Sequence, residues 1–335
     1  MTPVYLGVDV GSVSTDIVLV DESGNLLAGE YLMTMGNPIA AIQEGLARIR
    51  RFTEGMGRKL HVCGCGVTGS GRQLAGIICG ADIVKNEITC HAVAAVRDTP
   101  GVNTIIEIGG QDSKITILSN SVVVDFAMNS VCAAGTGSFL DRQAARLGIP
   151  IETFGQLALK SKHPVRIAGR CAVFAESDMI HKQQAGHPLE DIVKGLCDAL
   201  VRNYLANVAK GKKIRPPVLF QGGVASNVGI RRSFEENLGF PVTVPRHHKL
   251  MGAIGAALLA CKEVQSKPTA FRGFTIADCN LTTRGFECPD CPNRCEVIQL
   301  LQDGKTVARW GSRCGKWDLT GEALSHLVDG GTLQA

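Results

Sequence analysis

Thirteen cysteines, three glycine-rich turns and a few turn carboxylates carry the chemistry that this chain of 335 residues advertises. Five cysteines lie in one stretch: Cys279, Cys288, Cys291, Cys295 and Cys314. Three closely spaced thiols in GFECPDCPNRCEV plus one outlier suit a metal. Zinc takes four N/S ligands, and an iron–sulfur cluster takes four thiolates. Either Cys279 or Cys314 completes that set, and the metal stays open between zinc and iron–sulfur. Cys132 and Cys171 each stand just before an expected helix, where the positive helix end favours a thiolate and a bound anion. The remaining six, Cys63, Cys65, Cys79, Cys90, Cys197 and Cys261, lie in apolar or strand contexts and read as core thiols in a reducing compartment.

The glycine turns are GVDVGS at 7–12, GGQDS at 109–113 and QGG at 221–223. Glycine at a strand end lets backbone N–H groups approach an anion closely, so such turns cradle phosphate. Gly11 and Ser12 would hold phosphates in the first, with Asp9 reaching a hydrated Mg²⁺. Gly109 and Gly110 would face them, with Gln111 or Asp112 orienting water. Gly222 and Gly223, at a strand-to-helix junction, would let an adenosine lie on the backbone. Any one of these alone is an ordinary hairpin turn; three on a repeated frame read as a nucleotide cleft.

That frame is visible in the hydrophobic periodicity. Residues 4–10, 15–20 and 26–33 form three strands joined by hairpin turns, and a helix follows over 38–56. The same order returns after residue 103: NTIIEIG, SKITIL and VVVDFAM, then a helix over 135–147. Dinucleotide-binding units and P-loops pass directly from strand to helix, so two hairpins in a row argue against both. A strand at 217–220, a helix over 226–237 and a small-residue helix, MGAIGAALLAC, close the core. The expected organisation is α/β, with a first lobe of 1–98 plus 247–262, a second lobe of 99–246, and a Cys-rich C-terminal tail over 263–335.

Composition excludes other classes. With 45% apolar and 20% charged residues the chain is a folded protein. A net charge of +4 without basic clusters gives no nucleic-acid face. Apolar runs stop near ten residues, short of the ~20 needed to span a membrane, and the N-terminus enters a strand without a signal-peptide pattern, which reads as cytoplasmic.

The set GVDVGS, IGGQDSK and QGGVASN resembles the phosphate-1, phosphate-2 and adenosine motifs of the acetate kinase, sugar kinase, Hsp70 and actin superfamily. With VTGSGR (67–72), NEITCHA (86–92), NSVCAAGTGSFLD (129–141) and RCAVFAESDMI (170–180), the chain is similar over residues 4–261 to the BadF/BadG/BcrA/BcrD ATPase family. One departure is Asp16, where many relatives carry lysine. The resemblance implies two duplicated ribonuclease H-like lobes, and ATP and Mg²⁺ as cofactors, with Asn227 in the adenosine motif. It implies a homodimer whose Cys132 and Cys171 ligate one shared 4Fe–4S cluster, coupled to the nucleotide through Gly135, Thr136 and Gly137. It further implies one-electron transfer from ferredoxin or flavodoxin to a 2-hydroxyacyl-CoA dehydratase or a double-cubane or benzoyl-CoA-type reductase, in an anaerobic cell. The alternative on the same fold is a small-molecule kinase acting on a sugar or carboxylate.

Overall fold

The computed structural model describes residues 2–57, 60–129, 132–264 and 267–319. The chain divides into two compact units, one of Met1–Gly11, Thr15–Lys85 and Ala256–Ala335, the other of Ser12–Ser14 and Asn86–Gly255.

The first unit is built on β1 (Thr2–Val10), β2 (Ser14–Asp21), β3 (Leu26–Met33), α1 (Pro38–Gly55), β4 (Leu60–Thr68), α2 (Arg72–Cys79) and β5 (Ile83–Val84). The sheet order is β3-β2-β1-β4-β5. β1 pairs antiparallel with β2 and parallel with β4, so its apolar run is covered on both sides. The edge strand β3 alternates half-buried and exposed residues, as an edge must. Asn37 caps α1 by accepting from the Ala40 N–H, and Pro38 opens the helix where its missing N–H costs nothing. Gly45 lets α1 approach the sheet: a Cβ there would meet Ile17 at 2.6 Å.

The second unit contains α3 (Glu87–Asp98), β6 (Thr104–Ile108), β7 (Ser113–Ser119), β8 (Val122–Asn129), α4 (Gly137–Leu147), α5 (Ile151–Ala158), α6 (Ala172–Gln184), α7 (Leu189–Asn207), β9 (Val218–Gln221), α8 (Val228–Leu238) and β10 (Val242–Thr243). Its sheet runs β10-β9-β6-β7-β8, with β6 antiparallel to β7 and parallel to β9. Tyr204, Phe220 and Phe234 form an edge-to-face chain with ring centroids 5.3 Å apart. The Tyr204 hydroxyl donates to the Lys114 carbonyl at 2.7 Å, so the buried phenol is satisfied.

Helix α9 (Met251–Val264) is followed by a third sheet, β11 (Leu281–Glu287), β12 (Glu296–Gln302) and β13 (Lys305–Trp310), antiparallel throughout. The sequence reads this segment as an appended module. In the structure Ile276, Leu281, Leu300 and Ala308 enter the apolar core of the first unit. Gln43 of α1 donates to the carbonyls of Ile276 and Cys279, and Arg50 pairs with both oxygens of Asp278. Among the described residues no helix is long and apolar enough to cross a membrane.

Candidate functional site

The first glycine turn follows β1. Asp9 stands directly opposite Asp16 across the β1–β2 pair, so the two carboxylates share one face of the sheet. Like charges so placed repel, and a cation or proton nearby relieves them. Asp16 is buried. The loop VTGSGR wraps the end of β1. Gly71 donates its N–H to the Val10 carbonyl at 2.8 Å. Gly69 has φ +93°, and a Cβ there would meet the Val10 carbonyl at 2.4 Å and Asp9 Oδ1 at 2.5 Å. That glycine is what lets the loop lie on Asp9. The Gly11 carbonyl accepts from Thr34, and Ser12 is exposed.

The second turn is closed by the Gly109 N–H, which donates to the Asp112 carbonyl at 2.9 Å. Gln111 is exposed. Asp112 is engaged: its Oδ2 lies 2.7 Å from Lys114 Nζ. Lys114 also reaches Glu87 Oε2 at 2.7 Å and Glu107 Oε1 at 3.0 Å. Glu107 lies 3.4 Å from His91 Nδ1, which in turn contacts Gln221 Nε2 at 2.7 Å. Burial opposes charge on Lys114, yet the carboxylates of Glu107, Asp112 and Glu87 outweigh it and raise its pKa. Burial likewise opposes charge on Glu107, but His91 and Lys114 hold its carboxyl below the usual range. Sequence reasoning missed this network. Its signal was a charged residue, Glu107 or Lys114, one position in from the turn-facing end of each apolar strand flanking a glycine turn.

The turn is stitched to the cysteine loop. The carbonyls of Gly109 and Gly110 accept the N–H groups of Gly137 and Ser138 at 2.9 and 2.8 Å, and the Ser138 hydroxyl adds a bond of 2.6 Å to Gly110. Thr136 is buried with its hydroxyl donating to the Ala133 carbonyl. Thr136 and Gly137 thus bond to protein, and the start of α4 is fixed on the turn. Gly135 packs so closely that a Cβ would meet Asn203 Oδ1 at 2.8 Å.

At the third turn Gly222 adopts φ +90°, and a Cβ would lie 2.5 Å from the Ile108 carbonyl. Its N–H donates to the His248 carbonyl. Gly223 begins a 3-10 turn, and Asn227 caps α8 by accepting from Gly229 and Ile230. The Asn227 side-chain oxygen is therefore a helix cap in this structure. His248 is half-buried and bonds Ser226 at 2.9 Å. Burial, then Lys249 and His247, push its pKa down to about 4.

Cys171 is the N-cap residue of α6. The sequence expects Cys132 in the same relation to α4; the structure inserts a 3-10 turn, Ala133–Gly135, which Cys132 caps, and α4 starts only at Gly137. Small residues at Ala133-Ala134-Gly135 make that tighter turn feasible. Both thiols are partly exposed, and neither helical start has a side-chain cap hydrogen bond. Asn129 holds Cys132 on both sides, accepting from its N–H and donating to its carbonyl at 2.9 Å each. Asn203 on α7 donates to the Gly169 carbonyl at 2.6 Å and packs on Gly135, so one side chain touches both cysteine loops. The helices after the two cysteines are clamped as well: Glu176 of α6 pairs with Arg142 and Arg146 of α4 at 3.0 Å each. Val173 and Phe174, beside Cys171, are exposed, as are Val122, Val124, Phe126 and Met128 on one face of β8. Asn203 lies outside every motif read from the sequence, and Asn129 and Glu176, though inside two of them, were given no role there, because their roles depend on where distant loops meet.

Of the six cysteines read as core, Cys65, Cys79, Cys90 and Cys197 are buried, while Cys63 and Cys261 are half-buried. In the C-terminal segment the five thiols separate. Cys288 and Cys295 lie just beyond the last β11–β12 pair, the Cys288 N–H donating to the Cys295 carbonyl, and Cys291 and Cys314 are exposed on turns. Cys279 precedes β11, at the opposite end of the sheet, where Gln302 donates to its sulfur at 3.5 Å. Among the described residues no three His, Cys, Asp or Glu side chains are gathered as a metal-binding group.

Residues 6–260 match the BadF/BadG/BcrA/BcrD ATPase family. The chain is 36% identical over 263 residues to the (R)-2-hydroxyglutaryl-CoA dehydratase activating ATPase of Acidaminococcus fermentans, covering 77% of this chain and 97% of that one. It is 33% identical over 261 residues to the 2-hydroxyisocaproyl-CoA dehydratase activator of Clostridioides difficile, covering 78% and 96%. The solved structure of the activator of the 2-hydroxyisocaproyl-CoA dehydratase from Clostridium difficile with bound ADPNP superposes with a TM-score of 0.72 at 32% identity, over 78% of this chain and 96% of that one.

Proposed function

The chain belongs to the BadF/BadG/BcrA/BcrD ATPase family, and from that premise we propose that it is an ATP-driven activator that passes single electrons to a 2-hydroxyacyl-CoA dehydratase or a related double-cubane or benzoyl-CoA-type reductase. Two relatives are named as dehydratase activators, and one solved relative holds ADPNP. The observation that carries the reading is the direct bonding of Gly109 and Gly110 to Gly137 and Ser138, within a few residues of Cys132. A nucleotide-dependent shift of that turn is transmitted to the cysteine loop without an intervening flexible segment.

In this reading the two units are duplicated ribonuclease H-like lobes. Gly11, Ser12, Gly109 and Gly110 contact phosphates, Asp9 orients hydrated Mg²⁺, Gln111 positions water, and Gly222 and Gly223 accept the adenosine. Asp112, already bound by Lys114, orients rather than accepts a proton. Cys132 and Cys171 are the thiolates that would hold half of a 4Fe–4S cluster, the other half coming from a second copy of the chain. The residues fit that group: two partly exposed thiols at uncapped helical starts, tied by Asn203, beside exposed Val173 and Phe174. When bound, such a cluster supplies a one-electron carrier. Glu176 and its two arginines keep α4 and α6 moving together. Electrons come from ferredoxin or flavodoxin in an anaerobic cytoplasm.

Anaerobic purification, iron analysis and electron paramagnetic resonance test this. Wild-type dimer is expected to carry iron, and Cys132→Ser or Cys171→Ser to lose both the iron signal and activation of a partner dehydratase while still binding ATP. Iron-free wild-type protein, or ATP-dependent activation surviving both substitutions, refutes it.

A further inference from the structure

The cysteine-rich sheet lies beyond the matched family range, and its thiols are divided by the fold in a way the sequence did not decide. Cys288 and Cys295 face each other where β11 and β12 diverge, the Cys288 N–H donating to the Cys295 carbonyl at 2.8 Å. They continue the β11–β12 register one step past its last pair, Glu287 with Glu296, and opposed residues hold their Cβ atoms about 4.5–5.5 Å apart. The turn after Cys288 carries Cys291, and Arg294, with φ +43°, donates its N–H to the Cys291 carbonyl and folds that turn back. The segment after β13 lies over the same end. The Arg313 N–H donates to Cys295 Sγ at 3.5 Å, Trp317 Nε1 donates to Cys288 Sγ at 3.2 Å, and Lys316 pairs with Asp290 at 2.6 Å. Cys314 is bracketed by these three contacts, on a turn released by Gly315 at φ +74°.

We infer that Cys288, Cys291, Cys295 and Cys314 form a structural zinc site that pins the end of this sheet, with Cys279 excluded. Two observations support it independently of the activator reading, and zinc geometry favours one metal over a cluster. The sulfurs of 288 and 295 already accept N–H bonds, the arrangement a thiolate needs to hold its charge. Four thiolates on one Zn²⁺ leave a net charge of −2, and the cation beside them is Lys316, held by Asp290, whose carboxylate also accepts from Cys288 Sγ at 3.5 Å in the thiol form. A single zinc asks for four sulfurs close together, which an opposed pair can begin to supply, whereas a cubane spreads its thiolates over separate irons. The four sulfurs are not gathered in the thiol form described here, so Cys291 and Cys314, exposed on their turns, would move to complete the site; four thiols would release four protons as four Zn–S bonds formed.

Zinc content of the anaerobically purified full chain, measured by plasma mass spectrometry, is expected at about one ion per chain, the value for a closed four-thiolate site. It persists in the Cys132→Ser/Cys171→Ser double variant and in Cys279→Ser, and falls at least about fivefold in Cys288→Ser and Cys314→Ser, each of which removes one of four ligands. Because those two variants risk misfolding, Co²⁺ titration of metal-stripped wild-type chain is the second measurement, and a tetrahedral thiolate spectrum is expected. Zinc at background level in folded wild-type protein, zinc retained in Cys314→Ser, iron in place of zinc in the Cys132/Cys171 double variant, or octahedral cobalt each overturns the site. Loss of iron alone from the double variant tests the activator reading and leaves this one standing.

Discussion

Replacing Lys114 by methionine separates stabilising from catalytic electrostatics most sharply. Lys114 is 4% exposed in its side chain and stands within 3.0 Å of three carboxylates, Glu87, Glu107 and Asp112. Methionine fills similar volume, so the cavity cost is small. The cost comes from Glu107, 9% exposed, whose charge loses its nearest cation. Breaking a buried pair by removing one partner costs about 3–5 kcal/mol. At roughly 2–4 °C per kcal/mol for a domain of this size, the melting temperature should drop by roughly 10 °C at pH 7. The pH dependence has a definite sign. In the wild type the Glu107 carboxyl is held low, so its contribution is present above its unfolded pKa of about 4.3 and lost as pH falls. Without Lys114, burial pushes the carboxyl up; the penalty is largest at neutral pH and shrinks as the pH falls and the group protonates. Glu107→Gln added to Lys114→Met removes the unpaired charge and should restore at least about 1 kcal/mol. Thermal and urea unfolding across pH measure all of this. A single-variant cost below about 1 kcal/mol, or no recovery in the double variant, refutes a buried charge network at this turn. ATP hydrolysis should fall in both variants, because Asp112 loses its anchor in each.

Other perturbations discriminate the remaining parts. Asp9→Asn should lower Mg²⁺-dependent ATP hydrolysis about 10–100-fold with little change in melting temperature, as loss of a metal-orienting group does; unchanged hydrolysis sinks the metal role. Gly222→Ala forces a side chain onto the Ile108 carbonyl at positive φ, and should cost about 2–5 kcal/mol in unfolding experiments. Glu176→Gln loosens α4 from α6. Because both arginines are well exposed, stability should change by no more than about 1 kcal/mol. Activation of a partner should nevertheless fall while ATP binding holds; unchanged activation refutes the clamp.

The sequence by itself determined the two hairpin-plus-helix frames, the positions of the three glycine turns, and the cysteines that stand at helical starts. Those features follow from local rules: period-two apolar strands, glycine at special backbone angles, and helix ends that prefer particular residues. Strand 26–33 and the helix from residue 38 appear where the periodicity puts them. What only the tertiary structure decided depends on residues far apart in the chain. Asn203 reaches loops at Gly135 and Gly169, Lys114 gathers Glu87 with Glu107, and the C-terminal sheet shares its core with α1. The C-terminal cysteines show the difference most plainly. Spacing left Cys279 and Cys314 equal as partners of the Cys288 pair. Strand register then put Cys279 at one end of β11 and brought residues 313–317 to the other, because antiparallel pairing fixes which residues meet.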